Sequence, residues 1–246
     1  NDTSEIIIKP NAYSWRNITV YNSFLNSYNY KRDLDSHMMK NTEWGAVAYL
    51  SHSKYGLGYE VNINNNSSYK TGYSALSVTN QQTYPGTSGD GRTYNSAYNT
   101  EVGYLASTSG NISGVYDMSG GAWEYVSSYI TGKFGSSGFN TTTIANYDSK
   151  YFDTYNAAST LTTYQYKILG DATGEMGPFK SYLDGDNTSR YHSSWYGDYS
   201  YFVDSSDPWF LRGGHYTDGV LAGAFFFRRS TGGTNSIGGF RIVLTP

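Results

Sequence analysis

Hydrophobic residues recur at helical spacing only within the first 60 residues of the chain. In the stretch at 14–26 (SWRNITVYNSFLN), Trp15, Ile18 and Leu25 fall on roughly one face of a helix. Ser14 is a suitable N-cap residue in front of this face. The pattern therefore predicts a first helix that begins near residue 14.

A second helix is predicted more strongly at 40–56 (KNTEWGAVAYLSHSKYG). Trp44, Val47 and Ala48 form an i, i+3, i+4 apolar stripe, which is the spacing of one helix face. Thr42 is a suitable cap at its start, and the glycine at the end of the stretch can close the helix. We therefore expect a helix that buries its tryptophan face.

Beyond residue 60, the apolar and polar positions follow no helical period. Glycine, serine, asparagine, threonine and tyrosine dominate, and the apolar runs are short. This pattern indicates short strands joined by long loops. No repeat of fixed period and no linker-like break divides the sequence, so we predict a single domain over residues 1–246.

The composition is rich in tyrosine and poor in charge. Tyrosine contributes 27 of the 246 residues, charged residues contribute 15%, and the net charge is −3. This balance argues against nucleic acid and anionic membranes as partners, and no run of about 18 apolar residues predicts a membrane span. Tyrosine with serine, glycine and asparagine is typical of binding loops. The same composition is also common in extracellular β-rich proteins, so it does not decide the function.

No arrangement of reactive residues points to catalysis or to a metal ion. The chain has no cysteine, and its four histidines are not at metal-ligand spacings. His215, Asp218 and Ser230 are the residue types of a hydrolytic triad, but a triad is recognised by its geometry rather than by its sequence. The acidic loop at 184–187 lacks the glutamate that closes a calcium loop. We therefore expect no catalytic residue, no bound metal and no cofactor.

Several segments together resemble one family of domains. NTEWGAVAYLS at 41–51 is similar to the V-x-W-x-x-A-x-A-Y helix of formylglycine-generating-enzyme-type domains, and GVYDMSGGAWEYV at 114–126 is similar to their G-L-Y-D-M-x-G-N-V-W-E-W motif. FLRGGHY at 210–216 and GGFRIVL at 238–244 resemble their closing R-G-G-S-W and G-F-R motifs. The resemblance implies an α+β, C-type-lectin-like fold, in which two helices flank small antiparallel sheets with a high loop content.

The residues that match these motifs have the properties of a scaffold. Trp123 supplies a large core side chain, and Glu124 needs a partner for its charge if it is buried. Arg212 and Arg241 offer fork-shaped donors to buried carbonyls and carboxylates. Tight backbone turns beside strands suit the glycines of the motifs: Gly213, Gly214 and Gly239.

The resemblance does not extend to the chemistry of the enzymes. Formylglycine-generating enzymes act through a pair of cysteines, and the related sulfoxide synthases hold iron with a cluster of three histidines. Neither set is found in this sequence. Gly121 stands where some relatives have a metal-linked asparagine. We therefore expect the fold without the oxygenase activity.

The C-terminal segment is similar to a second branch of the same fold, the variable proteins of diversity-generating retroelements. WFLRGGHY, AGAFFF and GFRIVL follow their pattern W-F-x-R-G-G-x-Y, A-G-x-F-x-F and G-F-R. The resemblance implies a ligand-binding protein in which a variable region at about 209–244 is rewritten by adenine-directed mutagenesis.

Residue usage in this region agrees with such mutagenesis. Mutation of the adenines in AAY codons gives NNY codons, which cannot encode Lys, Glu, Gln, Met or Trp. These five types make up 27 of the 246 residues, which corresponds to about four in 36, and the last 36 residues contain none. A glycine-rich β terminus that avoids these residue types would show the same absence, so this alternative stays open.

The resemblance implies that ligand contacts lie on a C-terminal face whose side chains vary. The expected contacts are His215, Tyr216, Thr217, Asp218, Val220, Leu221, Ala224, Phe226, Arg228, Arg229, Ser230, Thr234, Asn235 and Ser236. A constant aromatic rim is expected from Trp195, Tyr196, Tyr199 and Tyr201. In the run AGAFFFRR, the alternation of a strand predicts that Phe225 and Phe227 point into the core while Phe226 faces a partner.

The expected function is that of a surface-displayed adhesin or receptor-binding protein, which binds a protein or a glycan. The chain begins at Asn1 without an initiator methionine, as expected of a processed or trimmed ectodomain. We expect display on a bacterial cell surface, a pilus or a phage particle. Three alternatives remain: a divergent oxygenase, a structural pilus or virion subunit, and a calcium-dependent sugar-binding lectin.

Overall fold

The structure, a computed structural model, describes residues 6–75, 96–156, 170–173, 180–181, 192–193 and 198–245. This part of the chain contains three α-helices: α1 (Val20–Tyr30), α2 (Asn41–Ser51) and the single turn α3 (Thr141–Ile144). It also contains twelve short strands: β1 (His37–Met38), β2 (Tyr73–Ser74), β3 (Ser96–Ala97), β4 (Trp123–Ile130), β5 (Asp153–Tyr155), β6 (Lys180–Ser181), β7 (His192–Ser193), β8 (Tyr199–Ser200), β9 (Trp209–Arg212), β10 (Phe227–Ser230), β11 (Gly238–Phe240) and β12 (Ile242–Val243). The predicted α+β class is confirmed.

Eight of these strands form one mixed sheet instead of the small antiparallel sheets that were expected. The strand order is β11-β4-β9-β10-β8-β7-β6, and β5 also pairs with β4. The central pairs β4–β9 and β9–β10 are antiparallel, whereas β11 and β5 run parallel to β4, and β8 runs parallel to β10. Two separate two-stranded sheets pair β1 with β12 and β2 with β3. The C-terminal strands thus pair with strands from the middle of the chain.

The two longer helices pack on opposite faces of this sheet. Because side chains alternate along β4, Tyr125 belongs to one hydrophobic cluster with Phe24 of α1, and Val126 belongs to another with Trp44 of α2. All four side chains are fully buried, and each such burial contributes roughly 1.5–3 kcal/mol to stability. The sheet is therefore held between two cores.

Helix α1 begins six residues later than the sequence predicted. Thr19 caps the helix, because its hydroxyl accepts a hydrogen bond from the Asn22 N–H (3.2 Å). The predicted cap, Ser14, lies outside the helix because Asn17 has a left-handed φ of 59°. A helix cannot continue through a residue in that conformation.

Helix α2 has the predicted apolar stripe but a different cap. Trp44 and Ala48 are fully buried, and Val47 packs against the same core. Lys40, rather than Thr42, occupies the cap position, and its N–H donates to the carboxylate of the glutamate three residues on (2.8 Å). The Thr42 N–H instead donates to the Asp153 carboxylate (2.8 Å). A residue distant in sequence therefore helps to satisfy the helix N-terminus.

Charged and polar ties fix the C-terminal strands to the rest of the scaffold. Arg241 donates two hydrogen bonds to Glu124, from Nε to Oε2 (2.9 Å) and from Nη2 to Oε1 (2.7 Å). Burial raises the pKa of Glu124, and the Arg241 guanidinium opposes this shift. Arg212 is fully buried and donates from Nη2 to the Ala172 carbonyl (3.2 Å). The predicted pairing of these arginines with buried acceptors is confirmed.

Within the described ranges, no helix combines the length and the apolar character that a membrane crossing requires. Helices α1 and α2 have 11 residues each, whereas a span takes about 20.

Candidate ligand-binding surface

The three consecutive phenylalanines are all buried, so the predicted alternation along this stretch is wrong. Phe225 and Phe226 are 2% exposed, and Phe227 is fully buried. Strand β10 begins only at Phe227, and the preceding residues form a turn in which the Phe226 N–H donates to the Gly223 carbonyl (3.0 Å). A turn does not alternate its side chains between two faces as a strand does.

This turn sends each ring to a different part of the scaffold. Phe225 packs against His52, which follows α2, with the ring centroids 4.9 Å apart. Phe226 stacks on Tyr199 with the ring centroids 5.4 Å apart. Phe227 lies in the core between the sheet and α2. Phe226 was predicted to contact a ligand, and the prediction that it is exposed is corrected here.

Two further predicted contacts are also buried. Ala224 is 2% exposed, and its carbonyl accepts a hydrogen bond from Trp44 Nε1 (2.7 Å). Tyr201, which was expected in an aromatic rim, is 8% exposed and lies under the Arg229 guanidinium, 4.1 Å from the ring centroid. Both side chains therefore lie inside the scaffold, where a ligand does not reach them.

Arg229 is held by two carboxylates and is not presented to solvent. Its guanidinium forms an ion pair with Asp204 and a second one with Asp207 (3.2 Å), and its side chain is only 14% exposed. Its predicted role as a ligand contact would require both ion pairs to break.

The loop after β9 brings most of the remaining predicted contacts together. It leaves the sheet at Gly214, whose left-handed φ of 80° suits glycine, and a Cβ there would lie 2.6 Å from Ala222. The Gly223 N–H donates to the Gly213 carbonyl (3.2 Å), which closes the loop at its base. A short 3-10 helix at Gly219–Leu221 forms the far side of the loop.

His215 sits at the centre of the loop and is largely buried. Its Nε2 lies 2.9 Å from the Tyr69 hydroxyl, and its Nδ1 lies 2.7 Å from the Thr217 hydroxyl. Burial lowers the pKa of His215; the Asp218 carboxylate opposes this shift, whereas Arg16 adds to it. The imidazole is therefore neutral at pH 7 and acts as a hydrogen-bonding link between segments.

Asp218 ties the loop to strand β4. Its Oδ2 accepts from the His215 N–H (2.8 Å) and from Trp123 Nε1 (2.9 Å). Trp123 was predicted as a core side chain, but it is only partly buried at the edge of the α1-side cluster. The carboxylate thus orients the tryptophan ring at the surface.

Two guanidinium groups lie on aromatic rings beside this loop. Arg228 lies over Trp123, with Cζ 4.3 Å from the ring centroid, and Arg16 lies over Tyr69 at 3.8 Å. Arg16 also donates to the Ser236 carbonyl. We call the surface made by these residues, His215 and Tyr216 the arginine–aromatic patch; its members are Arg16, Tyr69, Trp123, His215, Tyr216 and Arg228.

The backbone of Tyr69 is strained where it enters the patch. Its φ of 58° lies in the left-handed region, which costs a residue other than glycine on the order of 1 kcal/mol. The Tyr69 ring meets the Tyr216 ring edge-on, with the centroids 5.2 Å apart. Strain of this kind persists where the surrounding structure requires one particular orientation of a side chain.

The other predicted contacts lie around the patch or outside the described residues. Ser230 and Asn235 are half-buried and hold turns, because the Ser230 hydroxyl lies 3.0 Å from the Tyr125 hydroxyl and Asn235 Oδ1 accepts from the Ile237 N–H (3.0 Å). The exposed or half-buried remainder is Thr217, Leu221, Thr234 and Ser236. Trp195, Tyr196 and the side chain of Val220 lie outside the described residues.

Sequence reasoning missed Arg16 and Tyr69 as members of the patch. Both come from the N-terminal third of the chain, and no local motif marks either of them. Compared with known proteins, the sequence matches no family profile and no curated relative. Among the described residues, no group of three or more histidine or acidic side chains is placed to hold a metal ion.

Proposed function

We propose that this chain is a ligand-binding protein with a C-type-lectin-like fold, in which a constant scaffold presents a C-terminal surface that a diversity-generating retroelement varies. In this proposal it is displayed outside the cell, on a bacterial surface, a pilus or a phage particle, as an adhesin or receptor-binding protein. It works by binding alone, without a chemical step.

The division of the C-terminal region between buried and accessible positions supports this proposal most directly. Phe210, Arg212, Phe225 and Phe227 match fixed letters of the family pattern, and all of them are buried. The accessible positions between these letters include Thr217, Arg228, Thr234 and Ser236. A backbone that stays constant while its surface side chains change needs this division.

Four residues depart from the division, because they occupy free positions of the pattern and are buried: Leu211, His215, Ala224 and Phe226. In a close-packed interior, even a change of one methylene group alters stability. We therefore expect variation at these four positions to be limited to residues that fill a similar volume. Recognition of different ligands then falls to the loop at 216–218, to Arg228 and to the turn at 234–236.

The experiment that tests the proposal is sequencing of the genomic neighbourhood of the gene. We expect a near-duplicate of the segment that encodes about 209–244, with adenines at the codons for accessible positions, and a reverse transcriptase gene nearby. Repeated sequencing of a growing population should then reveal substitutions at those codons. A locus with neither a template repeat nor a reverse transcriptase would rule out the retroelement.

A further inference from the structure

We infer that the arginine–aromatic patch binds an acidic polypeptide segment, whose carboxylates are held by Arg16 and Arg228. This inference rests on the proposed function, because it names the ligand chemistry of the same surface. One of the two binding cations in this inference, Arg16, lies far outside the segment expected to vary.

The guanidinium groups cover part of the aromatic rings of the patch. Arg228 covers a face of Trp123, and Arg16 covers a face of Tyr69. Sugar rings are commonly bound through their apolar faces on open aromatic rings, and here each ring has a face occupied by a guanidinium. The groups that the patch offers to a ligand are therefore the planar cations themselves.

The two guanidinium groups offer hydrogen-bond donors to a ligand. A guanidinium stacked on a ring keeps its N–H groups in its own plane, where they can meet a carboxylate in a two-pronged hydrogen bond. The Nε atoms of Arg16 and Arg228 are both buried, and neither has a hydrogen-bond partner among the described residues. Because these Nε atoms are shielded from solvent, a ligand carboxylate would meet the Nη groups of the two half-buried side chains instead.

The patch carries more positive than negative charge. The chain as a whole has a net charge of −3, but the patch brings two guanidinium groups together with Asp218 as the neighbouring carboxylate. The Oδ2 of Asp218 already accepts from Trp123 Nε1 and from the His215 N–H. Neither Arg16 nor Arg228 forms an ion pair within the described part of the chain. Charge complementarity therefore favours an acidic ligand.

The two cations are separated along the patch. Arg16 and Arg228 lie at opposite ends of a series of contacts that runs from Tyr69 through His215 to Trp123. A ligand that reaches both needs at least two carboxylates on one flexible chain, which aspartate and glutamate side chains along a polypeptide provide. Tyr216, beside Tyr69, adds an apolar contact between them.

The test measures binding of the chain to poly-L-glutamate by isothermal titration calorimetry at low ionic strength. Arg16→Gln and Arg228→Gln should each weaken binding by about tenfold or more, because each loses a charge-assisted hydrogen bond. Arg32→Gln is the matched control, since Arg32 also lies over a tyrosine ring (Tyr28, 3.6 Å) but contacts no member of the patch. It should change the affinity by less than about twofold, and added salt should weaken binding by the wild type.

Thermal unfolding of each variant checks that the fold is kept, and hyaluronate, a carboxylated polysaccharide, is titrated in parallel. The inference is overturned if poly-L-glutamate does not bind, if the two patch variants bind as well as Arg32→Gln, or if hyaluronate binds more tightly with the same arginine dependence. None of these results touches the genomic test of the proposed function. Conversely, a locus without a retroelement leaves arginine-dependent binding of poly-L-glutamate intact.

Discussion

Arg228 and Arg229 are neighbours on strand β10, yet they belong to two different regions of the molecule. Arg229 lies over Tyr201 and pairs with Asp204 and Asp207, so its charge is used within the scaffold. Arg228 points to the other face of the strand and lies over Trp123 in the arginine–aromatic patch. The difference shows that the face of the strand, rather than the position in the sequence, separates structural from accessible side chains.

The same separation applies to the whole C-terminal region. One part, which we call the C-terminal core, consists of buried or ion-paired residues: Ala224, Phe225, Phe226, Phe227, Arg229 and Arg241. The other part is the loop at 215–218 and the patch around it. Substitutions in the first part should lower stability, whereas substitutions of Arg16 and Arg228 in the second should change binding with a smaller effect on stability.

The largest effect is expected at Phe226, which the sequence predicted to face a partner and which the structure buries. Phe226→Ala should lower the free energy of unfolding by about 3–5 kcal/mol, because it removes a buried ring and leaves a cavity beside Tyr199. Urea-induced unfolding measures this change. Thr234→Ala, at an exposed position of the turn at 234–236, is the control and should stay within about 0.5 kcal/mol. Equal stability of both variants would show that Phe226 is a surface residue.

The second effect concerns the ion pair that anchors the last strands. Arg241→Ala should lower the free energy of unfolding by about 3 kcal/mol, because it leaves the Glu124 carboxylate largely buried without its partner. The double variant Glu124→Gln, Arg241→Ala should lose less than the single variant, since no charge is then left unpaired. If the double variant is the less stable of the two, then the pair does not account for the loss.

The third effect is a pH dependence that arises in the core. Burial lowers the pKa of His52, which packs against Phe225, from 6.5 to about 4. Between pH 6.5 and 4, His52 binds a proton in the unfolded chain but not in the folded protein. The contribution of His52 to the free energy of unfolding is therefore complete above pH 6.5 and is lost as the pH falls towards 4. Because the ring is partly accessible, we expect a loss of about 2 kcal/mol rather than the full value.

Urea-induced unfolding across this pH range measures the effect of His52. His52→Gln should remove most of the pH dependence of the free energy of unfolding between pH 6.5 and 4. An unchanged slope in this variant would assign the pH dependence to other groups.

The smallest effect separates the two neighbouring arginines themselves. Arg229→Ala should cost about 1 kcal/mol, because two partly buried carboxylates lose their partner. Arg228→Ala should cost about half as much, the contribution of an exposed cation–π contact. Thermal unfolding ranks the two, and binding of poly-L-glutamate should show the reverse order, with the greater loss for Arg228→Ala. The same order in both measurements would contradict the division of the strand.

Local patterns in the sequence predicted the elements that depend on local forces. The stripe of Trp44, Val47 and Ala48 located helix α2, and the need of Glu124 for a partner anticipated its pairing with Arg241. The alternation at 224–228 failed because a hydrogen-bonded turn occupies the positions before Phe227. A run of apolar residues looks the same in a turn as in a buried strand.

The remaining features depend on contacts between distant segments, which no local pattern records. The parallel pairing of β11 with β4 joins residues more than 100 positions apart. The patch likewise depends on Arg16 and Tyr69, which contact Ser236 and His215 far along the chain. Two of the six members of the patch could therefore not be predicted from the C-terminal motifs.

The closed base of the loop has a consequence for how new specificities can arise. The loop begins and ends at one point, where the Gly213 carbonyl accepts from both the Gly120 N–H (2.8 Å) and the Gly223 N–H (3.2 Å). Extra residues inserted near Thr217 would lengthen the loop without moving β9 or β10, and doubling the length of a flexible loop costs only about 0.6 kcal/mol in closure entropy. If the proposed function is correct, insertion as well as substitution can thus deepen or widen the recognition surface while the sheet keeps the same register.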